Sequence, residues 1–329
     1  HHFLLSCSLI QTACALVQQP TMVVFGQFVL GPPGAGKTTY CTGMQQLLGA
    51  LKRPRTLINL DPANDELPYE CDIDVRELVN VEDVMNELEL GPNGALLYAM
   101  EYIEVNLDWL ITRIRRATAE FAVPYLFIDC PGQVELYTHN EVMTKITQQL
   151  TKALDLRLVA VHLIDSTLCV DAYRYLSAVF LSLSAMMQLE LPHINVLSKI
   201  DMVMDHTDDL SFSLDYYAGV SDLSQLLWTL QTTRHPMSEK FKEFNRLIAE
   251  LIEDYGLVSF EPLDIQDKEC ALRVLGRCDT ANGHIMNSEK VEDPSDPVSG
   301  VRLFQAGFSD AGEFLDEYLE RYEERLQQR

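Results

Sequence analysis

Apolar residues along this chain fall into two alternating patterns. Six short stretches read as strands, 23–30 (V-V-F-G-Q-F-V-L), 55–60 (R-T-L-I-N-L), 124–129 (P-Y-L-F-I-D), 156–165, 194–198 and 258–263, and 124–129 is almost wholly apolar, ending in Asp. Such runs suit strands covered on both faces. Between them, apolar residues recur every three or four positions, the spacing of a helix with one buried face. This predicts helices over 38–51 (Met44, Leu47, Leu48, Leu51), 81–88, 95–116 (Leu96, Leu97, Met100, Ile103, Leu107, Leu110, Ile114), 140–154, 169–191 and 238–255. Strands alternating with helices predict an α/β fold: three layers around a doubly wound, mostly parallel sheet.

The remaining stretches set the organisation. Residues 61–80 are acidic and irregular, and Gly91-Pro92-Asn93-Gly94 reads as a turn. Residues 204–235 read as an insertion with a helix near 221–230, and 282–300 as a polar linker. A charged helix over 310–328 carries Phe314, Leu315, Tyr318 and Leu319 at helical spacing, a face that docks on the body or on a partner. The expected division is therefore one domain over 22–283 and an acidic linker with a C-terminal helix over 284–329. Residues 1–21 are expected to be an upstream or non-native extension, with Met22 as the natural start. They lack the basic region of a signal peptide and are too interrupted for a spanning helix. The apolar stretch 176–187 is also too short to span a bilayer and reads as core.

Charge narrows the function. Lys+Arg number 25 and Asp+Glu 49, a net charge of −24. An acidic surface repels nucleic-acid phosphate and anionic lipid, so neither is an expected direct partner. The short basic runs at 52–55 and 113–116 read as solvated helix ends. The eight cysteines form no C-x-x-C pair, which argues for reduced thiols rather than a zinc site.

Three motifs at strand ends carry the chemistry. After the first strand, Gly31-Pro32-Pro33-Gly34-Ala35-Gly36-Lys37-Thr38, followed by Thr39, fits G-x-x-x-x-G-K-[ST]. The glycines let backbone amides approach a phosphate. Lys37 is placed to reach the β- and γ-phosphates, and the Thr38 hydroxyl to ligate Mg²⁺. About 90 residues later, Asp129-Cys130-Pro131-Gly132-Gln133 follows a buried strand. Asp129 suits the same metal, and Gly132 offers an unobstructed N–H to the γ-phosphate. Ser198-Lys199-Ile200-Asp201 matches the guanine-reading [NT]-K-x-D element with Ser in first place. Asp201 would accept from the guanine ring N–H and exocyclic amine, a donor pair adenine lacks, and the Lys199 stem would stack on the base. In isolation S-K-x-D is a helix start, and Gly91-Pro92-Asn93 is a turn.

These motifs, with L-D-P-A-N at 60–64 and L-G-P-N-G at 90–94, resemble the GPN-loop GTPase family from about residue 25 to 283. The stretches P-Y-E-C (68–71), N-L-D-W-L (106–110) and L-P-H-I-N (191–195) look closest to the second of its three eukaryotic paralogues. The resemblance implies a dimeric, SIMIBI-like GTPase using GTP and Mg²⁺ and releasing GDP, as a homodimer or with a paralogue. It implies that Asn93 enters the partner's site and meets the γ-phosphate. It also implies a nucleotide-dependent switch in assembly or nuclear localisation of RNA polymerase II, working with polymerase subunits or assembly factors, mainly in the cytoplasm with shuttling to the nucleus. A cross-dimer asparagine would fill a gap, since 61–80 holds only Arg76 as a potential arginine finger. Gln133 and then Glu135 are the candidates for positioning water, and Asp61 for the metal shell or a base. Glu135 also reads as a solvated helix start, and Asp61 as a turn initiator before Pro62. Histidines 139, 162 and 193 read as structural. The alternatives are a GTP-binding scaffold with negligible hydrolysis and an ATP-dependent kinase. The loop backing the base, near 262–264, has no recognisable element.

Overall fold

The computed structural model describes residues 23–64, 67–204, 210–220, 223–232, 241–256, 258–284 and 311–327. The extension 1–21, the start at Met22, most of the 282–300 linker and parts of the 204–235 insertion lie outside the described residues.

Seven strands form one sheet: β1 Val24–Leu30, β2 Thr56–Asn59, β3 Ile73–Asp74, β4 Tyr125–Asp129, β5 Leu156–Asp165, β6 His193–Ser198 and β7 Phe260–Leu263. Their order is β3-β2-β4-β1-β5-β6-β7, and each neighbouring pair is parallel. Since β1 pairs with both β4 and β5, strand order reverses beside it. In an open α/β sheet the crevice at such a point, at the strands' C-terminal ends, is where ligands bind. All seven residues of β1 are buried, and alternation splits its side chains between two cores. Phe25 and Val29 join Tyr40, Met44 and Leu48 on one face, whereas Val24, Phe28 and Leu30 join Ala99, Met100 and Ile103 on the other.

Gln27 is the polar exception in β1 and is fully buried. It accepts from the Tyr40 hydroxyl (2.7 Å) and donates to the Tyr125 hydroxyl (3.0 Å), which also receives Asn282 Nδ2 at 3.4 Å. The sheet is thereby tied to helix Lys37–Ala50 and helix Lys268–Asn282 through satisfied polar groups.

Four sequence expectations change. The 91–94 turn is the start of helix Pro92–Val105, with Gly91 as N-cap and proline at the first helical position, where its missing N–H costs nothing. The single helix over 95–116 is two, Pro92–Val105 and Leu107–Thr118. Asn106 breaks it by turning its side-chain amide back onto Tyr102 O (2.8 Å). The irregular stretch 61–80 contains β3 and a 3₁₀ turn, Val75–Glu77. Finally, helix Lys268–Asn282 was not anticipated; the Asp267 carboxylate caps its Glu269 and Cys270 amides, and Cys270, Val274, Leu275 and Cys278 are buried on it. Among the described residues the six cysteines are unpaired.

Candidate functional site

The phosphate-loop sequence lies between β1 and helix Lys37–Ala50. Gly31 has φ 143°, and a Cβ there would stand 2.4 Å from the Leu163 carbonyl oxygen of β5. Gly34 and Gly36 are left-handed at φ 79° and 91°. Gly36 is the helix N-cap, and no side chain caps that end. The first amides of the helix are thus left for an anion. Within the loop, Ala35 N donates to Pro32 O at 3.2 Å, while Pro33 and Thr39 are exposed. Lys37 Nζ donates to the carbonyls of Gly31 (3.0 Å) and Pro32 (3.3 Å). Burial depresses its pKa, against the pull of Asp129 and Asp61.

Asp129, the last residue of β4, is the neighbouring anion. Burial raises its pKa to about 6, opposed by the Tyr69 hydroxyl, Lys37 and Thr38. Tyr69 donates to Asp129 Oδ2 at 3.0 Å, whereas the buried Oδ1 has no hydrogen-bond partner. A buried carboxylate oxygen left unpaired beside a threonine and a lysine fits a magnesium ion held with a phosphate. Thr38 and Asp129 are the residues that would hold it.

Asp61 belongs to the same neighbourhood. Burial pushes its carboxyl up, and the Ala63 amide (2.9 Å) and Lys37 pull it back. Asn59 fixes the local turn by donating to Asp61 O (3.1 Å) and accepting from Asp61 N (3.1 Å). Arg76 is anchored instead of extended. Its Nε and Nη2 bind the Asp74 carboxylate and its Nη1 reaches Asn64 O at 2.6 Å.

Gly132 abuts the phosphate loop; a Cβ on it would lie 3.0 Å from Lys37 Nζ and 3.4 Å from Pro33 Cα. One residue on, Gln133 Nε2 donates to Asn93 Oδ1 at 3.2 Å within the same chain. Glu135 opens the one-turn helix Glu135–Thr138 and is exposed. Among the described residues, no hydrogen bond or ion pair joins its carboxylate to Lys37, Asp61 or Asp129.

The S-K-I-D element begins at the last residue of β6, on the other side of β1 from Asp129. The Ser198 hydroxyl lies 2.8 Å from Ala35 O and 2.9 Å from Ile164 O, linking the element to the phosphate loop. Lys199 is left-handed (φ 59°), and its Nζ bridges Gly34 O (2.5 Å) and Asp165 Oδ2 (2.7 Å). Its stem therefore crosses the ground between loop and element, where a base would lie against it. Asp201 is half-buried in the first turn of helix Ile200–Met204.

Sequence reasoning missed Tyr69 and Asp165. Asp165 ends a buried strand, as Asp129 does, and that shared feature was a usable signal. Tyr69 sits in an irregular acidic stretch where no periodicity marks it as buried. His162 is buried on β5, His193 is half-buried at the start of β6, and His139 is exposed beside Thr138 (2.7 Å).

A family model described as a conserved hypothetical ATP binding protein matches residues 29–284. A protein named GPN-loop GTPase 2 from Danio rerio is 49% identical over 265 residues, 80% of this chain and 83% of that one. The GPN-loop GTPase 2 of Schizosaccharomyces pombe is 40% identical over 310 residues, 93% of this chain and 96% of that one. The crystal structure of an apo-form GTPase from Pyrococcus abyssi superposes with a TM-score of 0.61 at 24% identity, covering 78% of this chain and 97% of that one.

Proposed function

The chain belongs to the GPN-loop GTPase family, and we propose that it binds GTP with Mg²⁺ and hydrolyses it to GDP and phosphate. The observation that carries the reading is the meeting of three strand ends. The loop after β1 presents amides and Lys37, the end of β4 presents Asp129, and the end of β6 presents Asp201. The family model's description names ATP; Asp201 favours guanine, because only guanine offers a carboxylate the paired ring N–H and exocyclic amine.

In this reading the Gly34, Gly36 and Lys37 backbone holds the phosphates and Lys37 offsets their charge. Thr38 and Asp129 hold Mg²⁺, which neutralises charge on the phosphate oxygens. Gln133 orients the attacking water, with Asp61 close to Lys37. Glu135 stands outside this grouping. Asn93 donates to the γ-phosphate of a second subunit, and the dimer is a homodimer or a pair with a GPN-loop paralogue. The nucleotide state then sets the dimer's shape and gates its clients, polymerase subunits or assembly factors of RNA polymerase II, mainly in the cytoplasm. No helix among the described residues is long and apolar enough to cross a membrane.

The test compares affinities for GTP and ATP with magnesium present, then follows a single turnover. Tighter binding of GTP and release of phosphate are expected. Tighter ATP binding would overturn the guanine assignment, and bound GTP that stays intact would leave a scaffold.

A further inference from the structure

Helix Ala311–Gln327 lies outside the residues that the family model matches, yet it is built into the body. Phe314, Leu315 and Tyr318 are buried in the core that also holds Met44 and Leu263. Beyond that apolar seat, its polar side chains converge on the two loops at the guanine end. The Tyr322 hydroxyl donates to the backbone carbonyl of Asp201 at 3.3 Å. Tyr318 and Arg325 donate to Asp264 Oδ2 at 3.2 and 3.1 Å, and Arg321 reaches Asp267 at 3.4 Å.

Asp264 and Asp267 bound the loop that follows β7, the strand paired with the strand of S-K-I-D. Both are buried. Each carboxylate faces two ways. Asp264 Oδ1 accepts from Gln266 N (2.9 Å) and Asp267 Oδ1 from Glu269 N (3.1 Å), fixing the loop from within. Asp267 Oδ1 also accepts from Cys270 N (3.0 Å), and both carboxylates turn their Oδ2 to the C-terminal helix. The loop's Ile265 presses on Gly43 of helix Lys37–Ala50, where a Cβ would come within 2.4 Å. The loop is thus gripped between the helix that starts at the phosphate loop and the helix that ends the described chain.

We infer that helix Ala311–Gln327 clasps the base-reading end of the site, with Tyr322, Arg325 and Arg321 as positioning residues for Asp201 and loop 264–267. It slows nucleotide release and sharpens selection of guanine. This rests on the guanine assignment of Asp201. A loop with two buried carboxylates and no side-chain cation of its own is held in place by cations from elsewhere in the chain. A carbonyl of the reading residue fixed by a phenol keeps its carboxylate aligned with the two guanine donors.

The test uses the full chain and its Tyr322→Phe and Arg325→Met variants, which keep the apolar seat intact. GDP release is timed after a chase, and affinities for GDP and IDP are compared, inosine lacking the exocyclic amine. Loss of one hydrogen bond at this end is expected to speed release about threefold to tenfold. The preference for GDP over IDP is expected to fall by a similar factor, with the affinity for inorganic triphosphate unchanged. A helix that only stabilises the fold would lower the melting temperature and leave the GDP-to-IDP ratio untouched; that result would overturn the inference. If the wild type itself shows no preference for GDP over ADP, the guanine assignment fails first, and the two failures are separate.

Discussion

Gln133 Nε2 and Asn93 Oδ1 stand 3.2 Å apart in one chain. The residue expected to position water and the residue expected to serve a neighbour's phosphate are therefore bonded to each other. An asparagine held by its own chain's glutamine is oriented before any second subunit arrives. The same contact also allows it to act on its own site.

Mixing two inactive chains distinguishes the routes. Lys37→Ala loses its phosphate grip, and Asn93→Ala loses the amide. If Asn93 serves the partner, a random mixture recovers roughly a quarter of wild-type turnover, since half of the dimers are mixed and each holds one complete site. Single-turnover phosphate release is the measurement. No recovery would assign Asn93 to its own subunit.

Asp129→Asn is expected to abolish magnesium-dependent retention of GTP while stabilising the folded chain. Burial lifts the carboxyl to about 6, so above that pH its charge is held at a cost. Replacing it with a neutral amide is expected to add on the order of 1–2 kcal/mol at pH 7.5. Denaturant titration measures the stability and equilibrium dialysis the nucleotide. Reduced stability would show that the Tyr69 hydrogen bond outweighs the burial of the charge.

Three glycine-to-alanine changes are expected to rank by surroundings. Gly31→Ala drives a methyl into the Leu163 carbonyl at φ 143° and is expected to cost about 3 kcal/mol or more. Gly34→Ala meets nothing within 4 Å, so only its left-handed backbone is penalised, by about 1 kcal/mol. Gly43→Ala displaces the Ile265 side chain, an overpacking cost of about 1–3 kcal/mol, and is expected to hasten GDP release. Melting curves and release rates together check the order.

His162 and His193 lie on adjacent strands with ring centroids 5.8 Å apart. Burial lowers His162 to about 3, with a further push from His193, and lowers His193 to about 4. Unfolded histidine titrates near 6.5, so the unfolded chain takes up these protons first. Stability is fully present above about pH 6.5 and is lost as pH falls toward 4 and then 3, at most about 1.4 kcal/mol per pH unit for each imidazole. Asp129, raised instead of lowered, works in the opposite direction, but it cancels in a comparison of wild type with His193→Gln. The difference in unfolding free energy between those chains is expected to be flat above pH 6.5 and to move against the wild type below it. A difference independent of pH would refute the assignment.

The strands were readable because burial on both faces favours apolar runs, as in 158–161 within the stretch 156–165, whose limits match β5. The placement of the phosphate loop, Asp129 and Ser198–Asp201 at strand ends was readable because each motif directly follows or closes a strand-like run. Helix Lys268–Asn282 was not, because its charged residues Arg273 and Asp279 are buried against partners outside the helix. Pairing with Glu261 and Arg53 overrides the polarity that periodicity relies on. Asn106 shows the converse: one side chain bonding to its own backbone ended a helix whose apolar spacing continued. The Asp129–Tyr69 bond spans 60 residues, and nothing local to Tyr69 announces it.

The lone glutamine inside β1 has a consequence for aim. Tyr40 meets Gln27 at 2.7 Å from a single direction, so the helix beginning at Lys37 cannot roll about its own axis without stranding a phenol in oil-like surroundings. A leucine at position 27 would make the interior greasier, at a cost of about 1–3 kcal/mol for the buried Tyr40 hydroxyl left without its acceptor. The amides facing the nucleotide would also lose their compass bearing. In this strand, a neutral pair of dipoles steers what adhesion alone would let swivel.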